Sequence, residues 1–197
     1  RRSPFPGGGE LPKQYSHTLD PFVSLGFAAA ATKSLKIGTG ICLLPQRDPI
    51  VTAKSIASLD LMSNGRFVLG LGGGWNVDEM ENHGVTYKTR FSMMKEHVLA
   101  MKSLWVDEEA EFHGEYVNFD KSWAYPKPVQ KPYPPILMGG ETDYTLKRVV
   151  DYCDGWFPRG RGGFDAGESM QRLKNMADKS NRDMSTLSVS VFGAPPN

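Results

Sequence analysis

The chain has 197 residues, of which 40% are hydrophobic and 23% charged, the balance of an ordinary globular protein with room for one sizeable core. Lysine plus arginine (23) against aspartate plus glutamate (22) leaves a net charge of +1, which excludes a long-range field that would gather nucleic acid or an anionic membrane. No run approaches the ~18 apolar residues of a membrane span, and residues 1–12 are rich in Pro and Gly without the apolar core of a signal peptide.

In chain order, Asp20-Pro21 reads as a helix cap followed by proline in the first turn, and the Ala-rich residues 22–32 predict a buried helix. Residues 35–44 predict a strand bounded by Pro45. Asp48-Pro49 repeats the cap signal before a helix over 50–62, with Ile50, Ala53, Ala57 and Leu61 as its apolar face and Ser63-Asn64-Gly65 as its stop. A strand over 66–71 and a helix over about 89–105 follow, the helix carrying Phe91, Met94, Val98, Met101 and Trp105 on one face. Residues 106–134 change to Trp, Tyr, Pro, Lys and Gly without a helical period and read as a loop insertion of short hairpin or irregular structure. The alternation resumes with a strand at 135–138, a helix at 142–152, a strand at 155–157, a helix at 166–179 and a strand at 187–192. Five strands separated by helices predict a parallel sheet with right-handed crossovers, either an open doubly wound sheet or part of a (β/α)8 barrel.

The two cysteines, Cys42 and Cys153, each lie in an apolar, strand-like stretch and outside any metal or disulfide spacing, so a reducing cytoplasm is the expected location. His17, His83, His97 and His113 share no ligand spacing, so no metal is expected; His97 fits a surface or core position on its helix.

Chemistry concentrates where predicted strands end. Gly70-Leu71-Gly72-Gly73-Gly74-Trp75 lets the backbone approach a flat ring or a phosphate, or forms a tight strand-to-helix turn. Its spacing is not that of a dinucleotide-binding G-x-G-x-x-G loop. Gly139-Gly140-Glu141-Thr142 precedes a helix whose unpaired N–H groups suit an anion, although Thr142 or Glu141 can equally serve that helix start. Gly38-Thr39-Gly40-Ile41 offers a third close approach or a bulge. Asn76, Asp78, Glu79 and Glu81 supply an acid or base, or solvated caps. Arg47, beside Gln46, clamps a negative group or pairs with Asp48. Trp75, Trp123 and Tyr125 stack on a ring or fill a core.

Taken together, residues 35–41, Leu44-Pro45-Gln46-Arg47-Asp48-Pro49, Leu59-Asp60, Ser63-Asn64-Gly65-Arg66-Phe67, the glycine run and Asp154-Gly155-Trp156-Phe157-Pro158 resemble the luciferase-like monooxygenases, especially their F420-dependent branch. The resemblance implies a (β/α)8 barrel that binds coenzyme F420, or alternatively FMN, at the carboxyl ends of its strands. It implies that Gly40 and Ile41 form a strand-end bulge, often with a non-prolyl cis peptide, that backs the ring. Gly73, Gly74 and Trp75 match the loop after the fourth strand, with Gly72 before them and Asn76 and Asp78 after them in the same cofactor set. Gly139, Gly140, Glu141 and Thr142 match the phosphate-side segment after the fifth strand. Gln46 and Arg47 are the substrate-side candidates, and no catalytic residue is assigned.

Members of that family carry two strands before Arg1, which matches the middle of the loop after the second, and at least one after the end of this chain. Residues 1–197 are therefore expected to be a single, truncated barrel domain, its open edge covered by a partner, by disordered chain, or by self-association into a homo-oligomer. The expected activity is hydride transfer between F420 and a small organic substrate. The alternatives are an FMN-dependent monooxygenase, a flavin-binding relative without catalysis, and a phosphate-binding barrel isomerase or aldolase. The last requires a reactive lysine or paired carboxylates at strand ends, and Lys36 stands at a strand start.

Overall fold

The computed structural model describes Phe5, residues 10–161 and residues 164–193; the loop expected around Arg1 lies outside the described residues. The elements are α1 (Pro21–Ala31), β1 (Ile37–Gly38), β2 (Cys42–Leu43), α2 (Pro49–Met62), β3 (Phe67–Gly72), α3 (Val77–Asn82), α4 (Arg90–Val106), β4 (Ala110–His113), β5 (Asn118–Ser122), β6 (Ile136–Gly139), α5 (Asp143–Tyr152), β7 (Gly155–Phe157), α6 (Ala166–Lys179) and β8 (Ser188–Val189). They fall into two compact units, one of residues 1–37, 43–67 and 73–134, the other of residues 38–42, 68–72 and 135–197.

The first unit is built on helices. Asp20 caps α1 by accepting from the N–H groups of Phe22 and Val23. The expectation that α1 is buried is corrected: Ala29 alone in this helix is buried, while Val23 and Phe27 are 62% and 78% exposed. One face of α1 packs on α2, and an apolar composition cannot by itself say how many faces are covered. Asp48 caps α2 through Val51 N–H at 2.8 Å. The buried stripe of α2 runs through Thr52, Ala53, Ile56, Ala57, Leu59 and Asp60, whereas Ile50 and Leu61 of the predicted face are about half exposed. The stripe is rotated because α1 and α4 both pack on α2, and because the buried Asp60 carboxylate accepts from the backbone N–H and side-chain amide of Gln130 at 3.0 and 2.7 Å.

Along α4, Met94, His97, Val98, Met101, Leu104 and Trp105 are buried, and Trp105 Nε1 donates to the Ala53 carbonyl at 3.0 Å. Phe91, expected on the same face, is only half-buried. The insertion contains an antiparallel hairpin of β4 and β5, with Ala110 opposite Ser122 and His113 opposite Asn118, followed by cis peptides at Tyr125-Pro126 and Lys131-Pro132. The short helix α3 has no counterpart in the periodicity, since six residues are too few to establish one.

The second unit carries the sheet, in the order β1-β3-β6-β7-β8, with β2 also paired to β3. The ladders from β3 through β8 are parallel, with Gly70 opposite Leu137, Leu137 opposite Gly155 and Trp156 opposite Val189. Among the described residues this sheet has six strands where five were predicted, because the stretch 35–44 breaks into β1 and β2 around Thr39, Gly40 and Ile41. Ile136, Leu137 and Met138 are buried, as are Leu146, Val149 and Val150 of α5, which packs on β6 and β7. Cys153 is buried at the C-cap of α5 rather than in a strand. The parallel α/β class expected from the alternation is the one observed.

Candidate functional site

In the second unit, Thr39, Gly40 and Ile41 cross the carboxyl edge of the sheet. Thr39 is fixed by its N–H to the Val68 carbonyl at 3.3 Å and by its hydroxyl to the Gly70 carbonyl at 2.6 Å. The Gly40-Ile41 peptide is cis. Beyond it, the Ile41 side chain lies across two glycines at strand ends. A Cβ at Gly72 would overlap Ile41 Cδ1, and one at Gly139 would stand 3.3 Å from Ile41 Cγ2. Glycine at these positions is what lets the side chain lie flat on the sheet edge, and Ile41 still exposes 40% of its surface. The result is a small apolar platform at the end of a parallel sheet, where α/β folds collect ligands.

Next to it, Gly140 has φ +119°, a left-handed value that favours glycine, and its carbonyl accepts from the buried Trp156 indole N–H at 2.6 Å. Thr142 caps α5 by accepting from Thr145 N–H at 3.2 Å. Glu141 receives the Arg159 side chain in a fork, at 2.9 Å from Nε and 2.8 Å from Nη2, and also the Arg159 backbone N–H. That hydrogen-bonded guanidinium holds the Glu141 carboxyl below its ordinary range. Arg172 bridges the Glu141 carbonyl and the Asp143 carboxylate at 3.1 and 2.7 Å. Thr142 and Glu141 thus have protein partners. Thr142 takes the Thr145 and Leu146 N–H groups, and the Asp143 and Tyr144 N–H groups at the start of α5 are by geometry suited to an anion.

The first unit places the other candidates. A Cβ at Gly73 would meet the Phe91 ring at 2.6 Å, and Gly74 has φ +72°. Trp75 meets Phe5 edge-on at 5.9 Å, so it has a protein neighbour for its ring. Asn76 caps α3 through Glu79 N–H at 3.3 Å, and Asp78 lies in that helix's first turn. Gln46 ends a short 3-10 turn after β2; its Nε2 is shielded from solvent with no hydrogen-bond partner among the described residues. Arg47 pairs with Asp20 at 2.7 Å and lies over the Phe22 ring, not with Asp48, whose carboxylate caps α2. His97 is a core residue, its Nδ1 donating to the Leu44 carbonyl at 3.2 Å. Trp123 and Tyr125 are 76% and 52% exposed and fill no core. Among the described residues no group of three or more His, Cys, Asp or Glu side chains is placed to hold a metal.

Thr39, Trp156, Phe157 and Arg159 have contacts at this site that the sequence does not disclose. Thr39, a lone hydroxyl between two glycines, and Trp156-Phe157 beside Asp154-Gly155 were visible in the sequence, but their partners come from distant segments.

A cofactor with a flat ring and an anionic tail matches the second unit's residues. The glycines that a Cβ would fill leave Ile41 presented as an apolar face, and the start of α5 offers peptide N–H groups to negative charge. No helix among the described residues is long and apolar enough to cross a membrane.

The family model for luciferase-like monooxygenases matches residues 10–195. An uncharacterized protein of Mycobacterium tuberculosis is 43% identical over 182 residues, which are 91% of this chain and 64% of that protein. The F420-dependent hydroxymycolic acid dehydrogenase of the same organism is 29% identical over 175 residues, 87% of this chain and 48% of the relative. An FMNH2-dependent dimethylsulfone monooxygenase of Pseudomonas putida is 28% identical over 152 residues, 76% and 40% of the two chains. The crystal structure of the monooxygenase RslO1 from Streptomyces bottropensis superposes with a TM-score of 0.76 at 22% identity, covering 87% of this chain and 53% of that one. The chain therefore spans between 40% and 64% of the length of these proteins. Its relatives include F420- and FMN-dependent oxidoreductases. By its parallel sheet with crossover helices and the match over residues 10–195, this chain belongs to the luciferase-like monooxygenase family and has the fold of part of that family's (β/α)8 barrel.

Proposed function

We propose that the chain binds coenzyme F420 and belongs to an oxidoreductase that transfers hydride between F420 and a small organic substrate. The observation that carries this reading is the Ile41 platform, an exposed apolar side chain laid over Gly72 and Gly139 at the carboxyl edge of a parallel sheet. Gly40, Ile41, Gly72 and Gly139 are assigned to one face of the ring, which they shield from water. Gly140 and the first turn of α5 are assigned to the anionic tail, with Glu141 and Thr142 shaping that turn through Arg159 and Thr145. Gly73, Gly74, Trp75, Asn76 and Asp78 on the cofactor side, and Gln46 and Arg47 on the substrate side, enter from the sequence rather than from the Ile41 platform. Bound there, F420 would supply the hydride chemistry, as reduced FMN would supply oxygen activation.

The F420-dependent relative supports the deazaflavin reading, and the FMNH2-dependent one supports a monooxygenase as the second reading. A barrel isomerase or aldolase has less support, since Lys36 precedes β1 at its amino end. Titrating the purified chain with F420 and with FMN, followed by cofactor fluorescence, tests the proposal. F420 bound about tenfold or more tightly than FMN, a difference of ~1.4 kcal/mol, supports it. The reverse order moves the assignment to FMN, and binding of neither overturns both.

A further inference from the structure

The segment that carries Ile41 has further neighbours, next to Gly40. Gly40 faces the Phe157 ring, and Gly70, where a Cβ would first strike the Thr39 carbonyl, lies beside the same ring. A Cβ at Gly40 would stand 3.7 Å from Phe157 Cε1, and one at Gly70 would stand 3.2 Å from Phe157 Cδ1. The same Gly40 position is 3.8 Å from Phe192 Cε2. The two rings meet edge-to-face, with centroids 5.8 Å apart and planes at 76°.

Phe192 is itself tied down. Its N–H donates to the Pro158 carbonyl and its carbonyl accepts from Gly160 N–H, both at 2.7 Å, in a parallel bridge beside Arg159. The backbone around Gly40 thus lies between the Thr39 bonds to β3 and an aromatic pair formed by the last residue of β7 and the chain following β8, which stand off Gly40 by the space of a Cβ. Thr39 fixes the segment along the sheet. The rings are what oppose its movement toward the Phe157 side.

We propose that Phe157, braced by Phe192, is a positioning residue that sets where Gly40 and Ile41 stand and so sets the seat of the cofactor ring; this rests on the F420 reading above. Phe157 acts on the ring through Ile41. Replacing it with alanine leaves Gly40 only the unbraced Phe192 ring on that side, so the segment gains freedom while its hydrogen bonds to β3 remain available. Tyrosine keeps the ring and preserves the wall.

The test is native-state amide hydrogen exchange on the ligand-free chain, comparing wild type with Phe157→Ala, Phe157→Tyr and Phe192→Leu, together with titrations of F420 and of FMN. The proposal expects exchange in residues 39–42 to quicken by about tenfold or more in Phe157→Ala, less in Phe192→Leu, and to be unchanged in Phe157→Tyr, with the amides of α4 unaffected. It further expects the bound cofactor's absorbance shift to be lost in Phe157→Ala and restored in Phe157→Tyr. Unaltered exchange of residues 39–42 in both Phe157→Ala and Phe192→Leu overturns the positioning role, as does an unaltered absorbance shift in Phe157→Ala. Should Phe157→Ala fail to fold, Phe192→Leu decides by the same exchange readout. If the wild type binds neither cofactor, the F420 reading falls, and the exchange measurement still decides whether Phe157 holds the segment.

Discussion

The indole N–H of Trp156 donates to the Gly140 carbonyl at 2.6 Å, joining the middle of β7 to the left-handed glycine that leads from β6 into α5. Trp156 is 1% exposed and Gly140 half-buried, so the bond is largely shielded from bulk water. Phenylalanine at this position would fill most of the volume and leave the carbonyl without its donor. Trp156→Phe is expected to cost about 1–3 kcal/mol, the range for stranding a buried polar group, read as a lower urea midpoint. An unchanged midpoint would mean that this bond contributes nothing net.

The relation between Gly72 and Ile41 gives a coupling experiment. Gly72→Ala forces a methyl into the space of Ile41 Cδ1 and is expected to destabilise by about 1–3 kcal/mol. In an Ile41→Ala background the obstruction is gone, so the same change should cost much less. The difference, about 0.5–3 kcal/mol, is measured by a double-mutant cycle on urea unfolding. Additive costs would show that the two positions do not share this space.

Arg66 ties the end of α1 to the turn after α2. Its guanidinium donates to the carbonyls of Ala29, Thr32, Leu35 and Ser63 and to the Thr32 hydroxyl, at 2.7 to 3.1 Å. One ammonium group cannot reach these acceptors together. Arg66→Lys is therefore expected to lose about 2–3 kcal/mol, close to the loss in Arg66→Met, by thermal unfolding. Near-wild-type stability of the lysine variant would contradict the forked arrangement.

His97 predicts a pH dependence. Burial lowers its pKa, outweighing the Leu44 hydrogen bond and the carboxylates of Asp48 and Glu96, which act in the opposite direction. The unfolded chain then takes up this proton more readily than the folded one. Stability from the neutral ring is complete above about pH 6.5, and falls as pH drops below that value toward the folded pKa. Unfolding midpoints measured from pH 7.5 to pH 5.5 should decline in the wild type and decline less in His97→Gln. Equal slopes would remove His97 as the cause.

The turn between β4 and β5 is organised by one carboxylate. Glu96, on α4, accepts from the N–H groups of Glu115, Tyr116 and Val117 at 3.0, 2.6 and 3.0 Å. Glu96→Ala should loosen residues 114–117 and speed their cleavage under limited proteolysis, whereas Glu96→Gln, which retains one oxygen acceptor, should be intermediate. Identical cleavage rates in all three proteins would show that the turn holds itself.

Local chemistry was enough to establish the helix starts at Asp20-Pro21 and Asp48-Pro49, and to narrow the third to Glu141 or Thr142, because a capping oxygen and the N–H groups it accepts from lie within three residues of one another. The alternation of apolar strands and helices likewise determined the parallel α/β class, since each buried strand requires a crossover. The tertiary structure decided which helix faces are covered: the stripe on α2 turned toward Ile56 and Asp60 because α1, α4 and Gln130 meet it there. It also decided what the glycines accomplish. Gly40, Gly70, Gly72 and Gly139 are separated by up to 99 positions, and only pairing β3 with β6 and β6 with β7 brings Ile41 and Phe157 against them. A glycine in a sequence declares room for close approach; what comes close is determined by the chains beside it.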